Sequence, residues 1–316
     1  MEEFTMERVT FNITCSCNLK CRLCGAYIPY LQNGGQDMRQ EYPLEHWNNI
    51  LDRYFKIVTH VNVLAISGGE PLLYPALPGF IHSLLRYRNA IGRVQIVTNG
   101  TIVPSRAVLD AAKEFGAKLY FNVDNYGEVS RAVNEIEALL TQHDIPFTIR
   151  NYTRDDPHCG GWVDFGGLTK RVHQTKEETE RVFSKCANAQ SIHFCFLIAG
   201  REMWPCDPAR RRRYLDPSPD CSEYLDLLDP SLSAEAQREK IAAIYAMKSL
   251  SACSYCNGLC EDSLRIVPGE QLTQEELSCI RDGARSYEEV LFMLNVKGHG
   301  RQKGISHDEG SHQAEN

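Results

Sequence analysis

Cys17, Cys21 and Cys24 stand in a C-x3-C-x2-C loop near the start of the chain. Three thiolates folded into one tight loop can hold three irons of a 4Fe-4S cube and leave the fourth iron open to an exogenous ligand. The same residues also fit a zinc site short of its fourth ligand, or part of a disulfide framework. Ser67-Gly68-Gly69-Glu70-Pro71, at the end of an apolar run, separates these readings. A zinc site has no use for two glycines at a strand end, whereas bringing backbone close to a ligand requires residues without Cβ. A second group of cysteines lies far down the chain at 186, 206, 253, 256 and 260. Two pairs of cysteines on a hairpin and a knuckle could hold zinc tetrahedrally, as in a zinc ribbon. Cys15, Cys195, Cys221 and Cys279 read as core or surface thiols rather than ligands.

The elements that must position these residues follow from periodicity. Residues 9–13 read as a strand delivering the cysteine loop, and 61–66 as a buried strand ending at the glycine pair. Apolar residues at helical spacing over 44–57 (Leu44, Trp47, Ile50, Leu51, Tyr54, Ile57) predict an amphipathic helix between them. Helices over 77–87, 105–115 and 129–142 then alternate with strands over 94–98, 118–123 and 147–152. Such alternation with short connections predicts an α/β fold of parallel strands joined by crossover helices, a β/α barrel or part of one. In such barrels ligands gather at the C-terminal strand ends. Gly68, Gly69 and Glu70 follow the second strand there, Thr98 and Asn99 the third, Asn122 and Asp124 the fourth, and Arg150 the fifth. Each polar residue could instead cap a neighbouring helix, and Arg150 could form a surface salt bridge.

The barrel pattern fades after Gly166. Residues 191–198 and 202–204 flank Ala199-Gly200-Arg201 as a predicted β-hairpin, with a helix later over 233–247. The expected division is a barrel over 1–166, a smaller domain over 167–296 and a disordered tail over 297–316, rich in Gly, His, Gln and Ser. The 316 residues carry 13 cysteines and a net charge of -7. That charge disfavours nucleic acid as a partner. No apolar stretch approaches the ~20 residues that span a bilayer, and the N-terminus lacks the features of a signal peptide, so a cytoplasmic protein is expected. In that compartment the cysteines point to metal rather than disulfides.

The cysteine triad and the Gly-Gly-Glu-Pro segment, in this order and at this distance, resemble the radical S-adenosylmethionine (SAM) enzymes. One departure is Leu23, where that family has an aromatic before its third cysteine. The resemblance implies a partial (β/α)6 TIM-like barrel over about residues 7–165. It implies a 4Fe-4S cluster on Cys17, Cys21 and Cys24, with SAM chelating the open iron by its amine and carboxylate. Gly68, Gly69 and Glu70 would meet the methionine amine, and Thr98, Asn99, Asn122 and Asp124 the ribose and methionine carboxylate. The later cysteines and hairpin resemble the C-terminal extension of the SPASM and twitch subfamilies, in the single-cluster twitch form. Cys186, Cys206, Cys253 and Cys256 would then hold an auxiliary 4Fe-4S cluster, with Cys260 near enough to replace one of them.

In the resembled mechanism reductive cleavage of SAM yields a 5'-deoxyadenosyl radical that removes hydrogen from an unactivated carbon. An auxiliary cluster could take the electron left behind, oxidising an alcohol to a ketone, as in dehydrogenases of the 2-deoxy-scyllo-inosamine dehydrogenase type. Arg150 would touch the substrate hydroxyl. An epimerase would instead return a hydrogen from a thiol, and Cys159 on the loop 158–162 is the candidate donor. Peptide maturation is a third outcome, disfavoured because a triad beginning at residue 17 leaves no room for a leader-gripping domain of about 80 residues. The expected substrate is therefore a small polar molecule: a cyclitol, sugar or sugar nucleotide. Arg210 to Arg213 could bind its phosphate, or dock an acidic reductant such as flavodoxin or ferredoxin, unless they form a solvated basic turn. The non-enzymatic alternative is an iron-sulfur or zinc carrier, for which Glu70 and the strand-end polar residues would have no use.

Overall fold

The computed structural model describes residues 3–33, 39–152, 155–216 and 223–303. One eight-stranded sheet organises them, in the order β5-β4-β3-β2-β1-β6-β7-β8. Its first five strands are β1 (Thr5–Thr14), β2 (His60–Gly68), β3 (Ile91–Thr98), β4 (Leu119–Asn125) and β5 (Phe147–Asn151). All pair in parallel, and the crossovers carry α1 (Leu44–Ile57), α2 (Leu77–Leu84), α3 (Arg106–Phe115) and α4 (Val133–Gln142). This is the expected α/β architecture of a partial barrel.

Sequence chemistry accounts for the crossovers. On α1, Trp47, Ile50, Leu51, Tyr54 and Ile57 form one buried face. Phe11 of β1 meets Trp47, Tyr54 and Phe80 in edge-on or tilted contacts, 5.7 to 6.4 Å between ring centres. On α3, the Ser105 hydroxyl accepts from the Val108 amide at the N-terminus, and Gly116 in a left-handed conformation ends the helix. The helix expected from residue 129 begins only at Val133, after a short 3-10 turn over Gly127–Val129.

The hairpin departs from a simple division into barrel and appendage. Its first strand, β6 (Phe196–Ala199), pairs in parallel with β1, and β7 (Glu202–Trp204) returns antiparallel to it. The sixth parallel strand is thus supplied from beyond the barrel segment and sits outside β1. His193 and Phe194 have left-handed backbones, so the strand starts later than the apolar run suggests. Before the hairpin lie α5 (Lys176–Lys185) and α6 (Ala187–Gln190), and after it α7 (Asp207–Leu215), β8 (Leu225–Asp226), α8 (Ala234–Tyr245), α9 (Gln274–Arg281) and α10 (Tyr287–Lys303). The last helix carries regular structure into the stretch expected to be disordered, whose remainder, like Cys221, lies outside the described residues. No helix among the described residues is long and apolar enough to cross a membrane.

The candidate cofactor and substrate cavity

The parallel strand ends open into a cavity of about 530 Å3, and Cys17, Cys21 and Cys24 line it together with Gly68, Gly69, Thr98, Asn99, Asp124 and Arg150. Strand pairing explains the convergence, because β1 to β5 run parallel and place every C-terminal end on one rim.

The glycines serve the chain itself as well as a ligand. A Cβ on Gly68 would lie 2.3 Å from the Thr14 carbonyl oxygen, and one on Gly69 2.1 Å from that of Ser16. The Gly69 and Glu70 amides donate to those two carbonyls, both at 2.8 Å. Absent side chains therefore let the β2 turn pack against the root of the cysteine loop.

Glu70 is not at the cavity wall. It is fully buried, and its carboxylate accepts from the amides of Leu72 (3.0 Å) and Asn99 (2.8 Å), which ties the turn after β2 to the end of β3. Burial pushes its pKa up to about 7, against the pull of those amides. This places the carboxylate behind the glycine pair rather than on the wall beside it. Asn122 likewise lies behind the rim, where its side-chain oxygen, turned to suit its neighbours, accepts from Arg150 Nε (2.9 Å) and Gln95 Nε2 (3.1 Å).

Arg150 reaches the cavity while held from below. Its Nη2 and Nε both lie 2.6 Å from Asp124 Oδ1. Burial raises the Asp124 carboxyl pKa and the guanidinium opposes that rise. The hydroxyls of Tyr126 and Tyr152 also donate to Asp124, at 3.2 and 3.4 Å. Their rings stack 5.3 Å apart, with Trp162 edge-on to both. The salt-bridge reading of Arg150 is thus realised, but inside the site.

Cys159, the candidate hydrogen donor, is not among the residues that line this cavity. Cys195, read from sequence as a bystander, does line it, with Thr10 Oγ1 3.4 Å from its sulfur. Sequence reading also missed a strap: residues 265–270 wall the cavity. Cys21 and Gln271 form an antiparallel bridge, and Gln271 Nε2 donates to Cys21 Sγ at 3.3 Å. Asn99 Nδ2 reaches Cys17 Sγ at 3.8 Å. The only sequence hint of the strap is Pro268-Gly269, a turn signal without an address.

A second cavity, about 150 Å3, is lined by Cys186, Cys206, Cys253 and Cys256 with Phe165, Phe183, Phe194 and Leu250. The Leu250 amide donates to Cys253 Sγ (3.4 Å) and the Gly258 amide to Cys256 Sγ (3.3 Å). Burial raises the pKa of Cys253 to about 12 and shifts Cys206 and Cys256 the same way. Cys260 stands off the cavity and donates to the Val182 carbonyl. Gly25 and Asp207 line both cavities. The basic run does not form a docking patch, because Arg210, Arg211 and Arg212 are buried on α7. No described cysteine is in a disulfide. Among the described residues no three His, Cys, Asp or Glu side chains converge tightly enough to hold a single metal ion, so each thiol set borders a space rather than a point.

Comparison with known proteins agrees with this picture. Residues 11–140 match the family model described as the Radical SAM superfamily. No curated protein matches the sequence. Among solved structures, that of BtrN in complex with AdoMet and 2-DOIA is similar at TM-score 0.51 and 13% identity, covering 86% of this chain and 98% of that one. The hexahistidine-tagged anSMEcpe with bound AdoMet aligns over 97% of both chains at 14% identity and TM-score 0.43. Streptococcus suis SuiB bound to S-adenosylmethionine aligns over 85% of this chain and 78% of its own at 14% identity and TM-score 0.42. At such identities only the BtrN likeness bears on the argument, and it speaks for the fold.

The donor sets suit the groups this family implies. Sulfurs that accept N–H bonds, Cys21 from Gln271 and Cys17 from Asn99, are prepared to be thiolate ligands, and three thiols beside open space leave room for a further ligand.

Proposed function

We propose that the chain is a radical SAM oxidoreductase that oxidises a small polar substrate such as a sugar, cyclitol or sugar nucleotide, using a second 4Fe-4S cluster on Cys186, Cys206, Cys253 and Cys256. When bound, the triad cluster with SAM supplies hydrogen-atom abstraction, and the second cluster an electron acceptor. The observation that carries this reading is the shared wall: Gly25 and Asp207 border both cavities, so an electron has a short path from substrate to the four-thiol space. For an alcohol carbon the balance is one hydrogen atom to the cleaved SAM, one electron to the second cluster and one proton to a base, leaving a carbonyl. Arg150, fixed by Asp124, donates hydrogen bonds to the substrate oxygen and favours its anionic form. Tyr126 and Trp162, which line the cavity, cover an apolar face of the substrate and exclude water. A low-potential protein such as flavodoxin or ferredoxin supplies the starting electron.

The test uses anaerobically reconstituted protein and a panel of cyclitols, sugars and sugar nucleotides, reading 5'-deoxyadenosine and substrate mass. The wild type should form a product lacking two hydrogens, and Cys253→Ala should still cleave SAM without forming it. A Cys253→Ala enzyme that still oxidises substrate would refute the proposal.

The Cys195 thiol in the main cavity favours one second reading, epimerisation with Cys195 as hydrogen donor. Cys195→Ala should then abolish turnover and solvent-deuterium incorporation, whereas under the oxidation reading it retains product formation.

A further inference from the structure

A third cavity, about 320 Å3, adjoins the main one and shares Asn12, Ala26, Ile28 and Gly68 with it. Gln40, Tyr42, Tyr214 and Arg210 complete its polar wall. Three consecutive arginines of α7 are buried, and their partners differ. Arg211 donates through Nη2 to the carbonyls of Asn33 (2.7 Å) and Arg285 (2.9 Å), although its Nε, like that of Arg210, is buried without a hydrogen bond. Arg212 pairs with Asp216 and lies 3.8 Å from the centre of the Tyr255 ring. Arg210 is only 9% exposed, its Nε is buried without a hydrogen-bond partner, and the Tyr214 ring centre is 5.8 Å away. Its charge is felt by Asp207, but the two form no ion pair. The nearby hydroxyls are already committed, Tyr42 to Gln40 and Tyr214 to Glu202.

A buried guanidinium that no carboxylate bonds directly is costly, since carboxylates at a distance, here Asp207 and Glu202, leave its N–H groups unsatisfied. The space in front of Arg210 would hold a phosphate or carboxylate many times over, since one water occupies about 30 Å3 of liquid. Asn12, in the wall between the two cavities, connects this space to the reaction site.

We infer that the third cavity is an oxyanion subsite in which Arg210 binds a phosphate or carboxylate group of the substrate while the carbon to be oxidised lies in the main cavity. This rests on the oxidoreductase reading for the identity of the substrate. It narrows the substrate class to acidic molecules: phosphorylated or carboxylated sugars and cyclitols, or nucleotide sugars.

The experiment is calorimetric titration of the cluster-loaded protein, without reductant, at constant ionic strength. The probes are inorganic phosphate, glucose 6-phosphate and glucose. Wild type should bind phosphate and bind glucose 6-phosphate more tightly. Arg210→Gln should lose at least tenfold in affinity for both, while Arg213→Gln on the same helix keeps them. Absence of phosphate binding, or equal binding by Arg210→Gln, overturns the site. Glucose 6-phosphate binding no more tightly than phosphate overturns the assignment to substrate in favour of a free anion. Thermal melting supplies a readout that needs no ligand. Arg210→Met should melt at or above the wild-type temperature, and Arg211→Met below it. A loss on Arg210→Met as large as on Arg211→Met would make Arg210 a packing residue and overturn the proposal. None of these readings requires turnover, so failure of the oxidation chemistry would appear separately in the Cys253→Ala assay.

Discussion

The two thiol-lined cavities use the same side chain for different ends. At the strand ends, three thiols share about 530 Å3 with strand-end polar groups and a cation, Arg150. Beneath the hairpin, four thiols ring about 150 Å3 among Phe165, Phe183, Phe194 and Leu250. The difference lies in ligand count and surroundings. A metal centre with a full set of protein ligands is closed to substrate, whereas one ligand short it is open to chemistry. Hydrogen bonding follows the same division. Neighbouring backbone amides serve sulfurs of both cavities, and side chains from distant segments, Gln271 and Asn99, serve those of the first in addition.

The strongest way to break this comparison is to remove one set of thiols. Changing Cys17, Cys21 and Cys24 together to Ala should abolish SAM cleavage and leave about half of the bound iron, roughly four atoms per chain if each set holds a 4Fe-4S cluster. Iron and sulfide assays with EPR of the reduced protein provide the check. A variant that binds no iron would mean that the cavities are not independent.

A smaller effect concerns the turn that carries the glycine pair. Glu70 titrates near 7 in the folded chain against an ordinary value of 4.5. The folded state therefore binds more protons between those values, and stability falls as pH rises through that window, by up to ~3 kcal/mol. Denaturant unfolding at several pH values should show this fall in the wild type and a shallower one in Glu70→Gln. Iron content of the hairpin site should be unchanged in both.

The smallest effect sharpens the contrast in hydrogen bonding. Gln271→Ala removes one N–H bond from Cys21. At about 1 kcal/mol for such a bond, the triad cluster's midpoint should fall by about 40 mV for a one-electron couple. A redox titration followed by EPR should show the second signal unmoved. Equal shifts in both would deny that the strap serves only the first site.

Local chemistry made much of this legible. The 3.6-residue period of α1, the Ser105 cap of α3 and the parallel alternation all depend on neighbours in the chain, and Thr98, Asn99, Asp124 and Arg150 reach the cavity because strand ends carry them there. Residues assigned by type and position alone fared differently. Glu70 and Asn122 sit beside the expected site but face into the protein, because buried amides and Arg150 claim their oxygens. Cys159 and Cys195 exchanged places, since nothing in a loop sequence says which thiol a left-handed turn aims inward.

By itself the sequence determined the α/β class, the strand-end address of the chemistry and the close spacing of Cys17, Cys21 and Cys24, because periodicity and local spacing are short-range properties. Only the tertiary structure decided that β6 joins β1, that residues 265–271 strap the cysteine loop, and that Arg210, buried on α7, lines a cavity beside the main one. Those outcomes depend on contacts across as many as 250 positions, as between Cys21 and Gln271, where packing and hydrogen-bond satisfaction choose among many pairings that the chain's local chemistry leaves equal.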